Sequence, residues 1–187
     1  MTYALISLVV ILGAATPEPA DPSLSVHHAP PFVIHVRSES EHLVPETLLL
    51  AQQMIRENAS RLPVGSDPIH IIVCSTETEF RRHAGAFGRT NIGGIALSES
   101  GVIVLKSPAL LRGGSSFRDV LRHELAHVLL ARNIREENMP RWLNEGIAMT
   151  LSGEKRWHSL MRVSNIFLRG QVLSYRDLEA AFEQPGI

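Results

Sequence analysis

Residues Arg122 to Leu130 read RHELAHVLL and contain His123, Glu124 and His127 in the pattern H-E-x-x-H. A separation of four on a helix puts both imidazoles on one face, one turn apart. Two nitrogens so related can grip a single zinc ion. Glu124 adjoins the first histidine and can reach a water held at such a metal, where a carboxylate serves as general base. The chemistry this set supports is metal-assisted hydrolysis. The other reading of the same letters is a helix with two surface histidines paired to glutamates. The chain has one cysteine, Cys74, which excludes an intramolecular disulfide framework and a cysteine-cluster zinc site.

A catalytic zinc usually takes three protein ligands plus water. The extended motif H-E-x-x-H-x-x-G-x-x-H is absent, because positions 130 and 133 hold Leu130 and Asn133. A third ligand must therefore come from elsewhere. The segment Met139 to Ala148 reads MPRWLNEGIA and places Glu145 eighteen positions after His127. A loop from Asn133 to Met139 lets the next helix fold back on the first, and Glu145 then completes a His, His, Glu set. Otherwise Glu145 is a solvated helix residue. Gly146 stands beside it, and a mid-helix glycine costs about 1 kcal/mol relative to alanine. Such a glycine makes sense where another helix or the metal site comes close.

The elements that must position these residues follow from the pattern. Leu121, Leu125, Val128 and Leu129 recur at helical spacing, so RHELAHVLL lies on a helix that packs one side. Ser115 or Ser116 caps it, Asp119 sits in its first turn, and it runs to about Asn133. Pro140 opens a further helix to about Ser152. Upstream, Phe32 to Arg37 alternates as a strand, His42 to Leu62 reads as a helix with Pro45 in its first turn, and Pro68 to Cys74 is a second strand. Cys74 reads as a small core residue. Thr76 caps a short helix to Ala86, with Glu79 three residues on. Ile95 to Leu97 and Val102 to Leu105 are strands joined at Ser98–Gly101. Arg156 to Phe182 suggests two shorter helices, with a strand near Val172-Leu173. Strands mixed with helices, then mostly helices, indicate an α+β fold.

The 187 residues suit one domain able to bury its own core. Eighteen basic and 19 acidic residues leave a net charge of −1, so no basic field argues for nucleic acid. Tyr3 to Ala15 is an apolar run too short for a membrane-spanning helix, closed by Gly13, Ala14 and Ala15. Residues 1–20 therefore read as a signal peptide or short anchor, and the protein as exported (periplasmic or secreted), with an uncleaved segment as a possible tether. No stable membrane span is expected. Residues 21–31, with three prolines in eleven positions, read as a linker in which His27 and His28 are solvated. The domain proper is 32–187.

RHELAHVLL followed by PRWLNEGIA resembles the gluzincin zinc metallopeptidases, in particular the peptidase MA-like family. In that family a helix with H-E-x-x-H is followed by one with W-x-x-E-G-x-A, here Trp142, Glu145, Gly146 and Ala148. The strong match covers about Arg122 to Gly153, and a weaker one reaches back to about Phe32. The resemblance implies a zincin-like domain: a small mixed sheet, an active-site helix and a following ligand helix. It implies one Zn2+ per chain on His123, His127 and Glu145, with Glu124 as base and acid, acting on a peptide or protein substrate. GGIALSESGVIVLKSP looks like the stretch in which an edge strand pairs with substrate, here Val102 to Leu105.

The chain departs from the thermolysin type at Met149, where an acidic residue would follow the third ligand by four positions. The group that orients a histidine ligand is then open between Asn144 and Asp119. The family domain commonly continues past the point where this chain stops, so a C-terminally truncated member is also expected. Tyr175 and His158 are candidate oxyanion donors, Arg141 and Arg156 read as solvated, and Trp142 reads as packing beneath the site. Three classes of function follow: a zinc peptidase, a zinc-binding but inactive interaction domain, and a structural module whose motif is coincidental.

Overall fold

A computed structural model describes residues 23–85, 92–134 and 139–153. The expectations for residues 1–22, Arg156, His158, Val172-Leu173 and Tyr175 lie outside them. The described residues form an α+β fold with a five-stranded mixed sheet in the order β1-β2-β3-β5-β4. The strands are β1 (Ser25–Ala29), β2 (Phe32–Val36), β3 (Ile69–Cys74), β4 (Gly94–Leu97) and β5 (Val102–Lys106). The helices are α1 (Val44–Asn58), α2 (Glu77–Ala84), α3 (Phe117–Asn133) and α4 (Arg141–Ser152). No helix among them is long and apolar enough to cross a membrane.

Period-two alternation gives the sheet two apolar faces. Phe32, Ile34, Val36, Ile69, Ile71, Val73, Ile103 and Leu105 point to one side and pack with α1 and α3. Cys74, Val102, Val104 and Ile95 point to the other, under Phe80 and Ala84 of α2. Burial of Cys74 pushes its thiol up, which suits an inert core residue. The caps expected from sequence are formed: Thr76 Oγ1 accepts from the Glu79 amide at 3.1 Å and Ser116 Oγ from the Asp119 amide at 3.0 Å.

Two expectations change. Residues 25–29, read as linker, are strand β1, antiparallel to β2 with Ala29 opposite Phe32. Pro30 and Pro31 occupy the two-residue turn between them, where a missing N–H removes no ladder bond. Proline density there marks a hairpin turn instead of a linker. Second, Val102 to Leu105 is not an edge. β5 runs parallel to β3 on one side and antiparallel to β4 on the other, so both its edges are filled. Among the described residues, the edge strand beside α3 is β4.

The site elements pack around α3. Every residue from Val120 to Leu130 is buried, because sheet, α1 and α4 enclose the helix. Arg122 ties this corner together. Its Nε donates to the Ser152 carbonyl of α4 at 2.6 Å and its Nη2 to Glu57 of α1 at 2.6 Å. That guanidinium holds the Glu57 carboxyl below the usual carboxylate range.

β4 and the residue before it approach α3 through Gly94 and Gly93, both against Val120. A Cβ on Gly94 would stand 2.8 Å from Val120 Cγ1, 2.9 Å from Glu124 Cγ and 2.9 Å from Leu105 Cδ2. Gly94→Ala is therefore expected to destabilise the fold by about 1–3 kcal/mol, as overpacking does. Thermal unfolding of the variant checks this, and an unchanged midpoint would show that β4 yields freely.

Candidate metal centre

The H-E-x-x-H residues sit mid-way along α3. Spacing of four brings the two imidazole Nε2 atoms to 3.1 Å, with the rings edge to face. On α4, Asn144, Glu145, Ala148 and Ser152 repeat every three or four positions and are all buried. They form the stripe that meets α3, and Ala148, fully buried, lets the two helices close together. Glu145 thereby reaches the histidine pair. Its Oε2 lies 3.4 Å from His123 Nε2 and 3.7 Å from His127 Nε2.

These three atoms make a triangle with sides of 3.1, 3.4 and 3.7 Å. A tetrahedral zinc with ligands at about 2.0–2.1 Å separates its donors by roughly 3.3 Å. The three residues thus suit one small divalent ion, and they are the sole described group of three or more His, Cys, Asp or Glu so placed. Glu145 Oε1 is buried without a hydrogen-bond partner among the described residues. A buried carboxylate is costly unless a cation or hydrogen bonds compensate it.

Asn144 settles the question left open between it and Asp119. Its Oδ1 lies 2.7 Å from His127 Nδ1, so the Nδ1–H donates to the amide oxygen. That bond keeps the proton off Nε2, the nitrogen that faces His123 and Glu145. Asp119 is exposed in the first turn of α3, far from such a role. Burial holds His127 down to about 4, with Glu145 opposing that shift, so the imidazole is neutral at pH 7 and its lone pair is present. Asn144→Ala is expected to weaken metal affinity about 10–100-fold, measured by chelator competition. Unchanged affinity would remove Asn144 from the site.

Glu124 is fully buried on the same helix, against β4 at Gly94. Arg141 precedes Glu145 by one turn of α4 and is half-buried rather than solvated. Its charge bears on His127 and helps lower that imidazole. Trp142 is half-buried. The expectation for Gly146 is corrected. It is exposed, and a Cβ there would meet nothing within 4 Å among the described residues. The close approach falls at Gly94, whose place in a glycine pair just before a strand was the available signal. Comparison with known protein families and with curated proteins returns no match.

Proposed function

We propose that the chain is a zinc-dependent metallopeptidase with a zincin-like fold, His123, His127 and Glu145 as its metal ligands and Glu124 as its general base. The observation that carries this reading is the His, His, Glu triangle, with a further carboxylate one residue from its first member and against an edge strand. When bound, zinc supplies a Lewis acid that polarises a carbonyl oxygen and lowers the pKa of water towards about 7.

The chain's own residues supply the rest. Glu124 accepts the proton of the attacking water on its carboxylate and delivers it to the leaving amine nitrogen. Asn144 keeps His127 in the tautomer that leaves Nε2 open. β4 is paired on one side only among the described residues, with β5. Its other edge is the place for an extended peptide backbone to add as a strand, which moves the substrate strand from Val102–Leu105 to Gly94–Leu97. Bond cleavage would then occur beside Glu124, which β4 touches at Gly94.

The test is hydrolysis of a protein substrate such as casein, and of internally quenched peptides, by the zinc-loaded chain. Cleavage that a chelator stops and added zinc restores is expected. One bound zinc with no cleavage of any substrate would sink the peptidase reading and leave a metal-holding interaction domain.

A further inference from the structure

The sheet face that α2 partly covers carries histidines the metal centre does not use. His35 of β2 and His70 of β3 alternate with the core residues Ile34, Val36, Ile69 and Ile71, so both project to this second face. They are diagonal neighbours across the parallel β2–β3 pair, since His70 opposes Val33 and His35 opposes Ile72. His35 Nε2 lies 3.0 Å from His70 Nδ1, and the rings stack at 5.3 Å between centroids. His28 joins the same row. It opposes Val33 across the β1–β2 pair, and Val33 is the residue that opposes His70 on the other side. Three imidazoles from three adjacent strands thus surround Val33 on one face. Contiguity in sequence does not bring them together; the register does.

We propose that His35 and His70, with His28 as third donor, form a second divalent transition-metal site on this face, separate from the His123–His127–Glu145 centre. The nitrogen pair at 3.0 Å is close to the roughly 3.3 Å edge of a tetrahedral zinc site. An all-imidazole set suits Zn2+, Ni2+ or Cu2+, and disfavours Mg2+ and Ca2+, which take oxygen ligands.

The protons balance without any release. The neutral pair shares one N–H between the facing nitrogens. On metal entry that proton moves to the outer nitrogen of its own ring, leaving His35 protonated at Nδ1 and His70 at Nε2. Burial, with His70, His28 and His83 facing it, holds His35 down to about 4, and burial also lowers His70. Both rings are therefore neutral at pH 7, the form a metal requires. His28 is exposed on β1, an edge strand among the described residues, and its ring lies outside ligand reach of the pair as placed, so it joins an ion only by turning towards it. An ion there clips the edge strand to β2 and β3.

The full chain, stripped with a chelator, is titrated with ZnCl2 by calorimetry at pH 7.5. About two binding events per chain are expected. His35→Ala removes one and keeps the other, whereas Glu145→Ala does the reverse, so this site and the metal centre are read in different variants. In the wild type, 15N-imidazole resonances of His28, His35 and His70 shift with the event that His35→Ala removes. A titration in which no event responds to His35→Ala overturns the site. If circular dichroism shows that His35→Ala unfolds, His28→Ala on the exposed strand takes its place. A weakened event is then expected, and an unaltered one overturns the three-histidine arrangement.

Discussion

Glu124→Gln is expected to lower peptide hydrolysis by about 10²–10⁴-fold, the usual contribution of a positioned general base. The amide matches the carboxylate in shape, so the fully buried slot between α3 and β4 stays filled. What is lost is the ability to take a proton from water and return it to the leaving nitrogen. Glu124 does not belong to the His123–His127–Glu145 triangle, so zinc content should stay at the wild-type level. The loss should fall on kcat, with KM little altered, because the proton transfer is made only in the transition state. Thermal stability should not fall, since an ionisable group leaves a buried position without leaving a cavity. Cleavage that persists at the wild-type rate would remove Glu124 from the mechanism.

Glu145→Ala should reduce zinc by about one ion per chain and abolish chelator-sensitive cleavage. Two histidines from one helix remain, and two ligands hold zinc more weakly than three. The fold should survive, because the α3–α4 contact keeps Ala148, Asn144 and the Arg122 bond to Ser152. Linkage gives a second readout. A ligand at one hundred times its Kd stabilises the folded state by about 2.7 kcal/mol. At about 2–4 °C per kcal/mol for a chain of this size, chelation should lower the wild-type Tm by roughly 5–10 °C. The variant should lack the part of that shift due to the metal centre. Zinc content equal to wild type in a folded variant would exclude Glu145 as a ligand.

Much of the molecule was legible in the residues themselves. The helix of His123 and His127, its Ser116 cap, the Thr76 cap with Glu79, the helix opened by Pro140 and the strands β2 to β5 depend on short-range rules. Spacing, capping and turn chemistry act within a dozen residues, so a contiguous stretch carries them. The pairing of Glu145 with the histidines was also within reach, because a short loop leaves α4 few places to go except back along α3.

Other features depended on which segments meet. The prolines at 30 and 31 look alike in a linker and in a hairpin turn, and only pairing with β2 makes 25–29 a strand. Gly94 and Gly146 are equivalent letters, yet one faces Glu124 and the other open space. Asn144 and Asp119 were equal candidates until packing turned one towards His127 and left the other in solvent.

The sequence by itself determined the α+β class, the candidate ligand set of His123, His127 and Glu145, and the helices that bear them. The tertiary structure alone decided that β4 is an edge strand among the described residues, that Asn144 orients His127, and that His28, His35 and His70 share one face of the sheet. The physical reason is range. Periodicity and capping are energies of neighbouring residues, whereas strand order, register and helix docking are set by burying apolar surfaces far apart in the chain.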